Sequence, residues 1–327
     1  MKVAVVGTTT WGTTLGIILA RRKIRVSLWA RTSEEAARLN AARENSARLP
    51  GFPFPPCLTA TDSAAEALRG ASLTIIAVPS QEMRPNMRKV KGHLDGSSPI
   101  LSATKGLELE SILRMSQVIA EELGLAHPSR VCVLSGPNLS GEIIRGLPAS
   151  SVVASEDIRQ AESVRDSIAS PAFRVYATDD VVGVELGGAL KNIIALGAGM
   201  VDGLGYGNNA KAAYMARGLT EITRLGVAAG RNPLTFVGLA GLGDLLATCA
   251  SPLSRNYTLG KGLADRRSLE EMEASIGSVV EGVTTTRAAL QMAAKLGVEL
   301  PITERIYRVL FEGLDAAQAM AELIGEV

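Results

Sequence analysis

Histidine is nearly absent from this chain: His93 and His127 are the only two. The cysteines are Cys57, Cys132 and Cys249 alone, so no zinc-ligand pattern is present. They are odd in number, far apart and without a Cys-x-x-Cys pair, so they define no disulfide framework. They read as packing residues in a reducing, cytoplasmic compartment. An excess of one charge is missing too. Lys plus Arg total 34 and Asp plus Glu 33, a formal net charge of +1. That balance argues against a general polyanion-binding surface such as a nucleic-acid interface, but leaves room for a local phosphate site. No apolar run reads as long enough to cross a membrane. The run after Met1 is too short for a signal-peptide core and is broken by Gly7 and the threonines that follow. There is no internal repeat of fixed period and no low-complexity tail.

What is present is apolar and well patterned. With 327 residues, 46% hydrophobic and 20% charged, the chain can bury a large core and is expected to form two domains. Lys2 to Val6 is a short β-rich run ending at Gly7, a helical pattern follows from Trp11 to Arg22, and a second strand runs from Arg25 to Ala30. This is the βαβ unit of a dinucleotide-binding fold. Its turn, Gly7-Thr-Thr-Thr-Trp-Gly12, keeps the outer glycines of the usual fingerprint. Thr9 stands where a glycine normally lets the backbone approach a pyrophosphate. Its hydroxyl either crowds the cofactor or donates to a phosphate oxygen. At the end of the second strand, Arg31 is followed by two hydroxyl residues instead of the carboxylate that favours a ribose diol. That tilts the cofactor toward NADP(H) over NAD(H).

Near-continuous apolar runs at 73–78, 99–103 and 131–134 read as central parallel strands, with further strands at 151–154 and 173–177. Helical patterns lie between several of them, among them 111–123 and 158–168. The alternation predicts an α/β, doubly wound Rossmann-type sheet. Ligands bind outside the carboxyl ends of such strands, which is where Lys105 and the Gly136–Asn138 turn fall. After Thr178 the strand pattern stops, giving a dinucleotide-binding domain over 1–178 and an all-α, substrate-binding domain over 179–327.

The most telling stretch of the second domain is Glu185-Leu-Gly-Gly-Ala-Leu-Lys-Asn-Ile-Ile-Ala-Leu-Gly-Ala-Gly-Met-Val201. It reads as a helix apolar on most sides, hence buried. Lys191 sits within it, flanked at helical spacing by Gly187, Gly188, Ile194 and Ala195, so room is left beside the amine. Desolvation lowers a lysine pKa and suits a general base. The competing reading is a lysine whose head reaches solvent from a core helix. Residues 202–209 read as a loop and 210–229 as a helix. Asp244, the only charge in Gly238–Leu245, either holds the Lys191 amine or caps a helix. Arg255, between Ser254 and Asn256, offers a planar fork for two phosphate oxygens.

Together these segments resemble one family closely, the bacterial-type NAD(P)-dependent glycerol-3-phosphate dehydrogenases. The resemblance spans nearly the whole chain. It rests on Trp11-Gly-Thr13, Ala77-Val-Pro-Ser80, Thr104-Lys-Gly106 and Ser135-Gly-Pro137 in the first half. In the second it rests on Ala189-Leu-Lys-Asn192, Asp202-Gly-Leu-Gly205, Asn209-Ala-Lys-Ala212, Gly241-Leu-Gly-Asp-Leu245 and Thr248-Cys-Ala-Ser-Pro-Leu-Ser-Arg-Asn256, then Val280-Glu-Gly282 and Leu300-Pro-Ile-Thr303. The resemblance implies reversible hydride transfer between NAD(P)H and dihydroxyacetone phosphate, giving sn-glycerol 3-phosphate for glycerophospholipid synthesis. It makes Lys191 the proton acceptor and Lys105 a contact to both cofactor and substrate. It places Gly136, Asn138, Asp244, Ser254, Arg255 and Asn256 on the substrate. Gly7 and Gly12 of the turn, with Thr10, Trp11, Arg31, Ser140, Arg255, Val279 and Glu281, fall on the cofactor. A homodimer and a cytoplasmic location belong to the same expectation; a metal does not. The alternatives are a related 3-hydroxyacid or 6-phosphogluconate-type dehydrogenase, and a non-catalytic dinucleotide-binding protein created by loss of the middle glycine. Thr8-Thr-Thr10 and Asn138-Leu-Ser140 are the departures from the family pattern.

Overall fold

Strand β1, Lys2–Val6, has four of its five residues buried and lies inside an eight-stranded sheet. A computed structural model of the chain describes residues 1–125 and 129–325. The other strands are β2 (Arg25–Trp29), β3 (Leu58–Thr61), β4 (Leu73–Ile76), β5 (Ile100–Ser102), β6 (Val131–Ser135), β7 (Ala149–Ala154) and β8 (Phe173–Thr178). Their order is β3-β2-β1-β4-β5-β6-β7-β8. β1 pairs in parallel with β2 on one side and β4 on the other, in the registers Val5 to Leu28 and Val5 to Ile75. The β2–β3, β4–β5, β5–β6 and β7–β8 pairs are parallel as well. The order reverses at β1, the arrangement of a doubly wound, dinucleotide-binding sheet. β1, β4, β5 and β6 are buried along their length because helices cover both faces. β3 was not legible in the sequence: two of its four residues, Leu-Thr-Ala-Thr, are polar, and no apolar run marks it.

The chain divides into two units. The first comprises Met1–Thr104, Met115–Leu134 and Ser140–Val181, and carries the sheet. Its core includes Val5, Leu28, Ile75, Leu101 and Phe173. The second comprises Lys105–Arg114, Ser135–Leu139 and Val182–Val327. Two short excursions from the first half thus belong with the helices, and Leu107 lies in the helical core. The helix expected from Ser111 begins only at Met115, because 105–114 folds back on itself, with Leu107 bridged to Arg114.

The second unit is built on the helix Val181–Gly203, whose Ile193, Leu196 and Val201 are buried with Phe236, Leu259 and Ile306. This helix is long and apolar enough to cross a membrane, as is the segment Pro233–Ala250, so the expectation of no such run does not hold. In Val181–Gly203, 94% of the apolar window is buried inside the protein, which accounts for its composition. The next helix starts at Gly207, leaving a shorter connection than the loop expected over 202–209.

Candidate active site

In the first unit the glycine turn joins β1 to helix α1, Thr10–Arg21. Gly7 has φ +108°, and a Cβ there would come 2.6 Å from the Ala77 carbonyl oxygen, so no side chain fits. A Cβ on Gly12 would meet the Gly7 carbonyl oxygen at 2.5 Å, so both outer glycines are required by packing. Thr9 has a different role from either expected one. Its hydroxyl donates to the Ala77 carbonyl at 2.7 Å and accepts from the Gly12 amide at 3.1 Å, making it the N-cap of α1. The amides of Thr10 and Trp11 find no acceptor among the described residues. The Trp11 indole N–H is buried and also without a partner. A helix start with unspent N–H groups is an anion site, and these groups fit the pyrophosphate of a dinucleotide. Arg31 is exposed just past β2, and Ser140 opens the short helix Ser140–Ile143.

The second unit brings Lys105, Gly136, Lys191 and Asp244 together. Lys191 is buried at 6% exposure, so its head does not reach solvent. Its Nζ donates to Thr248 Oγ1 at 2.5 Å and lies 3.0 Å from Asp244 Oδ1. Lys105 Nζ donates to Asp244 Oδ2 at 2.7 Å and to the Gly136 carbonyl at 2.8 Å. Asp244, 2% exposed, does not cap a helix with its side chain. A π-helical turn, Leu239–Gly243, hands over to the helix Asp244–Ala250 at this residue, whose carboxylate is spent on the lysines and Thr248. The turn packs tightly on the central helix: a Cβ on Gly187 would meet the Ala240 carbonyl at 2.8 Å. Burial pushes the Lys105 amine down to about 8, with the Asp244 carboxylate opposing the shift and the Lys191 charge adding to it.

A buried ion pair ties the Lys105 segment to the central helix, with Arg114 Nη1 2.5 Å from Glu185 Oε2. Neither residue was read from the sequence as part of the site. Thr248 was also missed as a site residue. Its spacing of one helical turn from Asp244 was the available signal.

The remaining substrate candidates gather around the helix Arg255–Ala264. Ser254 is its N-cap, accepting from the Tyr257 amide. Asn256 is buried, donating to Asn192 Oδ1 at 2.9 Å and accepting from the Gly282 amide at 2.9 Å. Asn192 follows Lys191 directly, so this link runs to the lysine cluster through the central helix. Arg255 is exposed and donates to the Val279 carbonyl at 2.6 Å. Glu281 begins the helix Glu281–Leu296 just beyond. Asn138 is half-buried in the same segment as Gly136. His127 lies outside the described residues; among those described, no cluster of three His, Cys, Asp or Glu side chains suits a metal ion.

Comparison with known proteins covers both halves of the chain. The family model for the N-terminus of NAD-dependent glycerol-3-phosphate dehydrogenase matches residues 2–161, and that for its C-terminus matches residues 180–321. A glycerol-3-phosphate dehydrogenase [NAD(P)+] of Dehalococcoides mccartyi is 50% identical over 324 residues, 99% of this chain and 90% of that protein. One from Pelotomaculum thermopropionicum is 48% identical over 323 residues, 99% of this chain and 93% of its own length. Among solved structures, the glycerol-3-phosphate dehydrogenase of Coxiella burnetii superposes with a TM-score of 0.93 at 37% identity, covering 99% of this chain and 98% of that one.

Proposed function

The chain belongs to the NAD-dependent glycerol-3-phosphate dehydrogenase family, and from that premise we propose how its residues divide the work. The activity is NAD(P)-dependent glycerol-3-phosphate dehydrogenation, with a small phosphorylated three-carbon substrate. The nicotinamide supplies the hydride chemistry when bound. Lys191 carries the proton. In reduction of dihydroxyacetone phosphate its ammonium protonates the developing alkoxide at the middle carbon; in oxidation the neutral amine takes the hydroxyl proton. Each lysine nitrogen has three N–H positions, and two at each are engaged by protein oxygens. One donor on Lys191 and one on Lys105 therefore remain for substrate oxygens. Two ammonium groups against one carboxylate leave the cluster net positive, which favours an anionic substrate and the charge that develops on its oxygen.

Arg255, with Ser254 and Asn256 at the same helix start, holds the substrate phosphate. That remote binding aligns the carbonyl carbon. Gly7, Thr10, Trp11, Gly12, Arg31, Ser140, Val279 and Glu281 serve the cofactor, and Lys105 and Arg255 serve both ligands. A cytoplasmic location and a homodimer are part of the same reading. The three free thiols support the first, and the exposed Leu234, Val237 and Leu246 the second. The product would feed glycerophospholipid synthesis.

The observation that carries this reading is the buried Lys191 amine held by Asp244 and Thr248. Oxidation of reduced cofactor by dihydroxyacetone phosphate, followed by absorbance, tests it. Lys191→Ala is expected to fold and bind cofactor while losing about 10²–10⁴-fold in turnover. Near-normal turnover in that variant rejects the assignment.

A further inference from the structure

Glu35 lies in the first turn of helix α2, Ser33–Ala42. Its carboxylate is fixed at both oxygens. Oε1 accepts the Thr8 hydroxyl at 2.7 Å, and Oε2 accepts the Arg31 backbone amide at 3.1 Å. The Arg31 guanidinium stands farther off, at 3.8 Å, with its side chain 79% exposed against 16% for Glu35. Thr8 belongs to the glycine turn and Arg31 to the segment just past β2. The carboxylate is therefore fastened across the gap between these two elements.

Helix capping alone does not explain this. Thr32 already caps α2, its side chain accepting from the Glu35 amide at 3.2 Å. In a capping box the glutamate returns to the backbone amide of the capping residue itself. Here it reaches one residue further back and also takes a hydroxyl from a different element. In a dinucleotide-binding βαβ unit, a carboxylate about 20 residues beyond the glycine turn accepts from the 2′-hydroxyl of the adenosine ribose. Two carboxylates lie near that place, Glu34 and Glu35 in the first turn of α2; Glu34 is exposed, and Glu35 is the one bonded to the glycine turn. A carboxylate has about four lone-pair positions, so after Thr8 and Arg31 it can still accept from a ribose diol. A 2′-phosphate there would face a like charge only a few ångströms away, offset in part by one exposed guanidinium.

We propose that Glu35, anchored by Thr8, makes this enzyme favour NAD(H) over NADP(H). The preference suggested by Arg31 alone is thereby reversed. The inference rests on the glycine turn being the cofactor site. The test is equilibrium binding of NADH and NADPH to the full chain by nucleotide fluorescence, with 5′-AMP and 2′,5′-ADP as competitors. Wild type is expected to bind NADH and 5′-AMP about tenfold tighter than their 2′-phosphorylated counterparts. Glu35→Gln is expected to collapse that ratio, chiefly by tightening NADPH. Thr8→Val, which frees the carboxylate without removing it, moves the ratio part of the way. Thermal unfolding shows whether each variant folds, and the wild-type ratio stands as a test whatever the variants do. A wild type that favours NADPH overturns the inference, as does an unchanged ratio in a folded Glu35→Gln that binds both nucleotides. Failure of wild type to bind either nucleotide would overturn the cofactor site itself, and this inference with it.

Discussion

Lys105 and Lys191 grip opposite oxygens of a single carboxylate, with Nζ at 2.7 Å from Oδ2 and at 3.0 Å from Oδ1 of Asp244. All three side chains are at most 17% exposed. Two cations thus share one anion. The shared anion fixes the two nitrogens relative to one another, which a reaction needing one proton donor and one charge stabiliser requires.

The Lys105 amine, shifted from 10.5 to about 8 by burial, makes stability depend on pH. Between those two values the unfolded chain holds a proton that the folded chain has released. The folded state therefore gains stability as pH rises from about 8 to 10.5, and that gain is lost again as pH falls back through the same window. Lys105→Met removes this dependence. In urea unfolding at pH 7 and pH 10, the difference between wild type and Lys105→Met is expected to move toward wild type at the higher pH, by on the order of 2–3 kcal/mol. A difference independent of pH would contradict the shift.

Arg255 sits at the surface, so its removal should spare the fold. Arg255→Ala is expected to raise KM for dihydroxyacetone phosphate about tenfold to a hundredfold, the loss of a charged hydrogen bond or two. Steady-state kinetics over a substrate series, with thermal unfolding alongside, decides it. An unaltered KM would remove Arg255 from the phosphate site.

The central helix meets Arg255–Ala264 through bare glycines. A Cβ on Gly199 would lie 2.1 Å from the Tyr257 carbonyl oxygen, and one on Gly260 only 1.8 Å from that of Leu196. Gly199→Ala must push the two helices apart, and is expected to cost about 1–3 kcal/mol in urea unfolding. These helices carry Lys191 and Asn256, so kcat/KM should fall as well. A variant as stable as wild type would mean that the contact is loose.

Most of the sheet could be read in advance. Apolar runs such as Leu73–Ile76 and Val131–Ser135 are buried strands because helices cover both faces, and their residues carry that requirement directly. Ile158–Ile168 shows a helical period and is a helix. β3 escaped because two of its four residues are threonines and no apolar run marks it. The fold-back of 105–114 escaped because its local residues suit a helix, whereas Leu107 is claimed by the helical core. Lys191 was legible through the small and apolar company it keeps. Thr248 and Glu35 were not, since each acts through a partner that is distant along the chain or on another element.

The amino-acid order alone determined most of the strands and helices, that a lysine is embedded in a core helix, and that a glycine turn follows the first strand. Those are consequences of short-range periodicity and side-chain size. Only the tertiary structure decided that Asp244 serves two lysines instead of capping a helix, that Thr9 caps α1 instead of meeting a phosphate, and that Thr8 seizes Glu35. Each outcome depends on which competing hydrogen bond packing brings within reach, and groups far apart in sequence meet only when the packed elements set their distance.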